Sequence, residues 1–240
     1  MKLLKRDKKR QKNTLFCFTP EVMIATFVIE ILLALYTFIK AKSSKFGRGA
    51  IFILIFLALF QLAEYQICRG ENPEMWSRIG LFSITILPIL GIYLISLLDK
   101  RTWLHYLGYG LAVAFGLYFV LVPKAIDGVA CGGNYVIFSG PQALFNFYSF
   151  YYFGFLLFAI WESFHRAQED KKNKLLRRIL FWFIIGYLSF LLPLTLVYLF
   201  ITSARVAVAS IMCGFAVIFA LILAFRIVPL YQELEKKKLK

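Results

Sequence analysis

Residues 60–98, FQLAEYQICRGENPEMWSRIGLFSITILPILGIYLISLL, decide the fold. The opening residues set Gln61, Glu64 and Cys68 at spacings of three and four, which is one face of an α-helix. The polar turn RGENPE breaks the apolar character only briefly. A second apolar run follows, containing Pro88 and close to the roughly 20 residues that a helix needs to cross a bilayer core. An apolar run, a short turn and another apolar run describe a chain that crosses a membrane and comes back.

Outward from this stretch the pattern repeats. Apolar runs of spanning length occupy 20–39, 49–66, 79–98, 104–122, 144–162, 179–201 and 207–229. Hydrophobic residues make up 60% of the chain, Phe occurs 26 times and mean hydropathy is +0.72, more apolar mass than a soluble domain carries. The runs are continuously apolar rather than alternating, which points to helices and away from a barrel. The expected fold is therefore an all-α integral membrane bundle of seven transmembrane helices spanning 20–229, between a basic tail at 1–19 and a second at 230–240. The basic start leads into a run too long for a signal peptide, so the first helix is expected to serve as an uncleaved insertion signal.

A net charge of +15 would suggest nucleic acid in a soluble protein. Here the basic residues sit between apolar runs, so the expected partner is the lipid bilayer, with a cytoplasmic or membrane protein as a further candidate and no nucleic acid. Seventeen Lys and Arg fall in the connections on one side and four, Arg69, Arg78, Lys124 and Arg205, on the other. That asymmetry orients the chain with its N-terminus outside and its C-terminus in the cytoplasm. The seven basic residues of 1–19 oppose it, and an even number of spans is the alternative.

In that frame Cys17, Cys68 and Cys131 lie toward the outer face, and Cys213 lies within the last run. A Cys68–Cys131 bridge would tie the second helix to the Gly-rich connection at 123–143. Three pairings among the outer cysteines remain open. No metal site and no cofactor are expected, since His105 and His165 fall on the side away from these thiols.

Ionisable groups at bilayer depth are costly unless neutralised or paired, which makes them functional candidates. Glu30 is central in the first run, on a face with Thr26 and Thr37; Glu64 lies in the outer third of the second; Glu162 closes the fifth. Glu162 is expected to reach headgroups and Arg166 one turn on, a structural role. Glu30 and Glu64 have no basic residue in a helix core to answer them, and taking up a proton removes their cost. Residues Gln61, Glu64 and Tyr65, with Asn146, Ser149 and Tyr152 from the tyrosine-rich start of the fifth run, would line an acidic, aromatic, outward-opening pocket suited to a small cation. Nothing indicates an enzyme: retinal Schiff-base, zinc-hydrolase, G-x-S-x-G, H-E-x-x-H and P-loop patterns are absent.

Through Trp76, Pro88 and the short basic turn at 99–101, the chain resembles the seven-helix N-terminal sensor region of some bacterial histidine kinases. The resemblance implies sensing of a ligand or of membrane state. With only LEKKKLK after the last run, output would pass through a separate partner. FQLAEYQIC and TILPILGIYL also resemble small polytopic proteins of bacteria without assigned activity, which implies a bacterial inner membrane. The leading expectation is a sensor binding a small ligand; a proton-coupled or small-molecule carrier using Glu30 and Glu64, and a structural or assembly protein, are the alternatives.

Overall fold

The structure, a computed structural model, describes residues 20–98, 102–131, 135–170, 173–201 and 207–238. The basic tail with Cys17, the turn at 99–101 and Arg205 lie outside the described residues.

Helices α1 (Pro20–Ala41), α2 (Lys45–Arg69), α3 (Pro73–Ser96), α4 (Trp103–Leu121), α5 (Gln142–Glu169) and α6 (Lys174–Phe200) are followed by a rod made of α7 (Val208–Ile222), a π turn (Leu223–Ile227) and α8 (Val228–Lys238). Among the described residues these give seven helices long and apolar enough to cross a membrane, so the chain is a multi-pass helical bundle. Between α4 and α5 lies an antiparallel hairpin, β1 (Gly128–Cys131) and β2 (Val136–Ser139), pairing Cys131 with Val136 and Gly128 with Ser139.

Local chemistry sets the helix ends. Ser44 caps α2 by accepting the Gly47 amide at 2.9 Å. Gly70, at φ 81°, closes α2 in the left-handed conformation that a residue without Cβ adopts at no steric cost. Asn72 then accepts the Met75 amide, and Pro73 stands where its missing N–H is no loss. The helices run past the apolar segments because a helix continues into the interfacial layer. What the sequence presents as a charged loop at 163–178 is thus mostly the end of α5 and the start of α6. In the same way the last helix does not stop at Pro229. The π turn gives Val228 N–H the carbonyl of Leu223, and the ring of Pro229 follows this wider turn without ending the rod.

α2 and α3 are the most enclosed spans, while α1, α4 and α5 leave most of their length open. Phe60, Leu54, Ile92, Leu94 and Phe183 are fully buried; Val113, Leu117, Phe150 and Leu199 point outward, a surface that lipid satisfies and water does not. Two ends can be told apart. At one, the hairpin covers the C-terminal end of α2 and the start of α7, and Arg78 donates to the carbonyls of Val120, Val122 and Pro123, fixing α3 to the end of α4. At the other, here the basic end, α8 folds against the start of α2, with Tyr231 stacked on Phe46 at 4.1 Å between ring centres.

Candidate functional site

Cys68, on the last turn of α2, is joined to Cys131 of β1 by a disulfide. The bond holds the hairpin one turn above Glu64. Four-residue strands do not stand alone in water; this pair is fastened by the disulfide and by Val136, which is buried against α7.

Directly beneath, Ser210 at the start of α7 hydrogen-bonds to Glu64. Its oxygen also accepts the Val136 amide at 3.0 Å. One hydroxyl thus connects the hairpin backbone, the buried acid of α2 and the last helix. Glu64 is 1% exposed and has no salt-bridge partner among the described residues. Gln61, one turn below, is buried with its amide nitrogen unpartnered among the described residues. Glu30 comes from α1 into electrostatic reach of Glu64, fully buried, and neither of its carboxyl oxygens has a hydrogen bond there.

Among the described residues, the lining expected from the sequence is not brought together around one outward-opening cleft. Asn146 is exposed and accepts from Gln142 at 2.9 Å; Ser149 is exposed and donates to its own Phe145 carbonyl. Tyr65 is half-buried on another face of α2 from Glu64, with Arg69 over its ring at 5.8 Å. The helical periodicity of α5 turns Tyr148, Tyr151 and Tyr152 inward and these polar neighbours outward. Of the expected lining, Gln61, Glu64 and Tyr152 are interior, and the hairpin closes the mouth. Tyr151 donates at 2.7 Å to the Thr85 carbonyl, adjacent to the carbonyl that Pro88 leaves without its helical amide. The interior space nearby is a cavity of about 30 Å³ among Leu57, Leu87, Tyr152, Tyr187 and Cys213. That is room for about one or two waters, and far below the few hundred Å³ of an organic-ligand pocket.

A second buried cluster lies at the basic end. Glu162, 4% exposed, does not reach headgroups. Its Oε1 sits 2.6 Å from Arg166 Nη2 and 3.3 Å from His105 Nε2. Arg166 also donates to the Ile95 carbonyl at 3.1 Å, at the end of α3. His105 Nδ1 accepts the Thr102 amide at 3.0 Å, which leaves the imidazole proton on Nε2, facing Glu162. Beside this cluster, Arg166, Glu169 and Asp170 border a cleft of about 270 Å³ between the ends of α3, α5 and α6.

Ser210 was not singled out from the sequence, and His105 entered there only as a histidine away from the outer thiols. The signal for Ser210 is the small-residue face Ser210, Cys213, Ala216, Ala220 at spacings of three and four, all buried. His105 offers less, a histidine three residues after Thr102 at a helix start. No family model matches the chain, and no curated protein does.

Proposed function

We propose that the chain is a receptor-like membrane protein responding to a small cation at its hairpin end, with the Glu30–Glu64 pair as the responsive site and the last helix as the transmitter. Ser210 carries this reading: the hairpin, Glu64 and α7 meet on one hydroxyl, so any change in the charge of the acid pair alters the hold on the cap and on the rod together. The rod runs on to α8 at the basic end, where Gln232 donates to the Lys40 carbonyl at 2.6 Å, beside the connections rich in Lys and Arg. The cavity among Leu57, Tyr152 and Cys213 is too small for an organic ligand, and the acid pair is what would attract a cation.

The hairpin end faces outside and the basic end the cytoplasm. The Cys68–Cys131 bond supports that orientation, because disulfides persist in oxidising compartments, and so does the excess of Lys and Arg opposite it. The membrane is a cell membrane, bacterial by the resemblance to kinase sensor regions, and a separate partner protein reads the basic-end cleft.

A carrier is the second reading, favoured by an acid at the middle of α1. The hydrogen-bonded groups at Glu64 favour the receptor, since they connect it to the hairpin, whereas Thr37, on the basic-end side of Glu30, is turned to its own backbone. Hydrogen–deuterium exchange on the full chain in nanodiscs separates the two, with an acid step and sodium chloride as probes. A receptor changes protection in β2 and α8, and Ser210→Ala uncouples them. Unchanged protection, together with cation flux in proteoliposomes that Glu30→Gln abolishes, makes it a carrier.

A further inference from the structure

Glu30 sits at the middle of α1 with no exposure, and both carboxyl oxygens lack a hydrogen-bond partner among the described residues. The threonines on its face are turned to their own backbone: Thr26 donates to the Met23 or Val22 carbonyl, and Thr37 to that of Leu33. The titratable groups facing Glu30 are Glu64 from α2 and Cys213 from α7, the helices packed on α1. The basic residues Arg69 and Arg226, on α2 and in the π turn, are exposed near opposite ends.

An ionised carboxylate left so is costly at bilayer depth, and two neighbouring carboxyl groups do not both ionise readily. A hard metal ion would need about six oxygens around it, whereas among the described residues no three His, Cys, Asp or Glu converge. A proton needs no shell. Polar groups linked to one another by hydrogen bonds lead toward the hairpin: Glu64, Ser210 and the Val136 backbone. Toward the basic end the buried faces carry Leu33, Leu54, Ala216 and Ala220, with Thr37 turned to its own Leu33 carbonyl.

We infer that Glu30 is a proton-binding site that exchanges its proton with the hairpin end through Glu64 and Ser210. Glu64 is the ionised member of the pair, accepting from Ser210. When the O–H bond on Glu30 breaks, Glu64 takes the proton and the negative charge passes to Glu30. Where the hairpin lifts, Glu64 trades this proton for one from water, and the return of the new proton to Glu30 restores the starting state, so the pair holds one proton throughout the exchange. This rests on the pair being the responsive site and names its ligand.

Infrared difference spectroscopy on the full chain in nanodiscs at neutral pH tests it. Glu30→Gln removes a protonated-carboxyl C=O band and leaves the carboxylate bands unchanged. In D₂O the wild-type band shifts, and it shifts more slowly in Glu64→Gln and Ser210→Ala. Glu30→Asp, which keeps the acid, keeps the band and serves if the amide variant does not fold. Loss of carboxylate bands in Glu30→Gln, or unaltered exchange in both relay variants, overturns the inference. A protonated Glu30 under a last helix indifferent to acid and sodium sinks the receptor and spares the proton site; an ionised Glu30 with a responsive helix does the reverse.

Discussion

Glu162 and Glu64 are both buried glutamates on spanning helices, yet the bundle answers one with a guanidinium and an imidazole and the other with a serine. At the basic end the charges balance across three helices: Glu162 and Arg166 on α5, the Ile95 carbonyl on α3, His105 on α4. From mid-membrane toward the hairpin, Glu30 and Glu64 lie within electrostatic reach of each other, with no salt-bridge partner among the described residues. The difference teaches what each half is for. A matched cluster in a dry interior is destabilised by any change in charge, so it fixes geometry. An unmatched one, on the reading proposed here, has two accessible states, with and without a proton, and a cap whose grip depends on which is present.

The comparison breaks most directly at Arg166. Arg166→Ala leaves Glu162 buried without its guanidinium and should cost about 3–5 kcal/mol, as for other broken buried pairs. Denaturant titration in micelles reads it, and a cost no larger than that of Glu30→Gln would erase the distinction between the two ends. Next is the cap. Cys68→Ser removes a cross-link over a sequence separation of 63 residues; a loss of about 2–4 kcal/mol is expected. It should come with faster amide exchange at Val136 and unchanged exchange around His105.

Ser210→Ala takes a hydrogen bond from Glu64 and one from Val136, worth together about 1–3 kcal/mol. Ser210→Thr, which keeps the hydroxyl, should restore part of it, and equal losses in both variants would mean that packing, not the hydroxyl, holds the cap. Smallest is Glu30→Gln. The amide carries no charge to bury, so stability should move by less than about 1 kcal/mol in either direction, whereas Glu162→Gln, which strands Arg166, should cost several times more.

Much of this was legible in order along the chain. Each apolar run became a helix, because the length of a run and its lack of charge are local properties. The placement of Cys68 and Cys131 on one side and the isolation of Glu30 and Glu64, acids without a basic residue in a helix core, could be read the same way, but which of three cysteine pairings forms could not. The hairpin could not: four-residue strands carry too little alternation to stand out, and theirs depends on a disulfide and a contact with α7. Asn146 and Ser149 look like a polar lining in sequence, but only the rotation of α5 says that they face out while Tyr148 and Tyr152 face in.

Composition and the length of the apolar runs alone determined seven spans and which carboxyl groups would be anomalous at depth. Tertiary structure decided how each anomaly is met. The partner of Glu64 lies 146 residues away, and the carbonyl that holds Arg166 lies 71 residues away. Such pairings depend on the rotation and neighbour order of whole helices, which many distant packing contacts set together and no local pattern encodes.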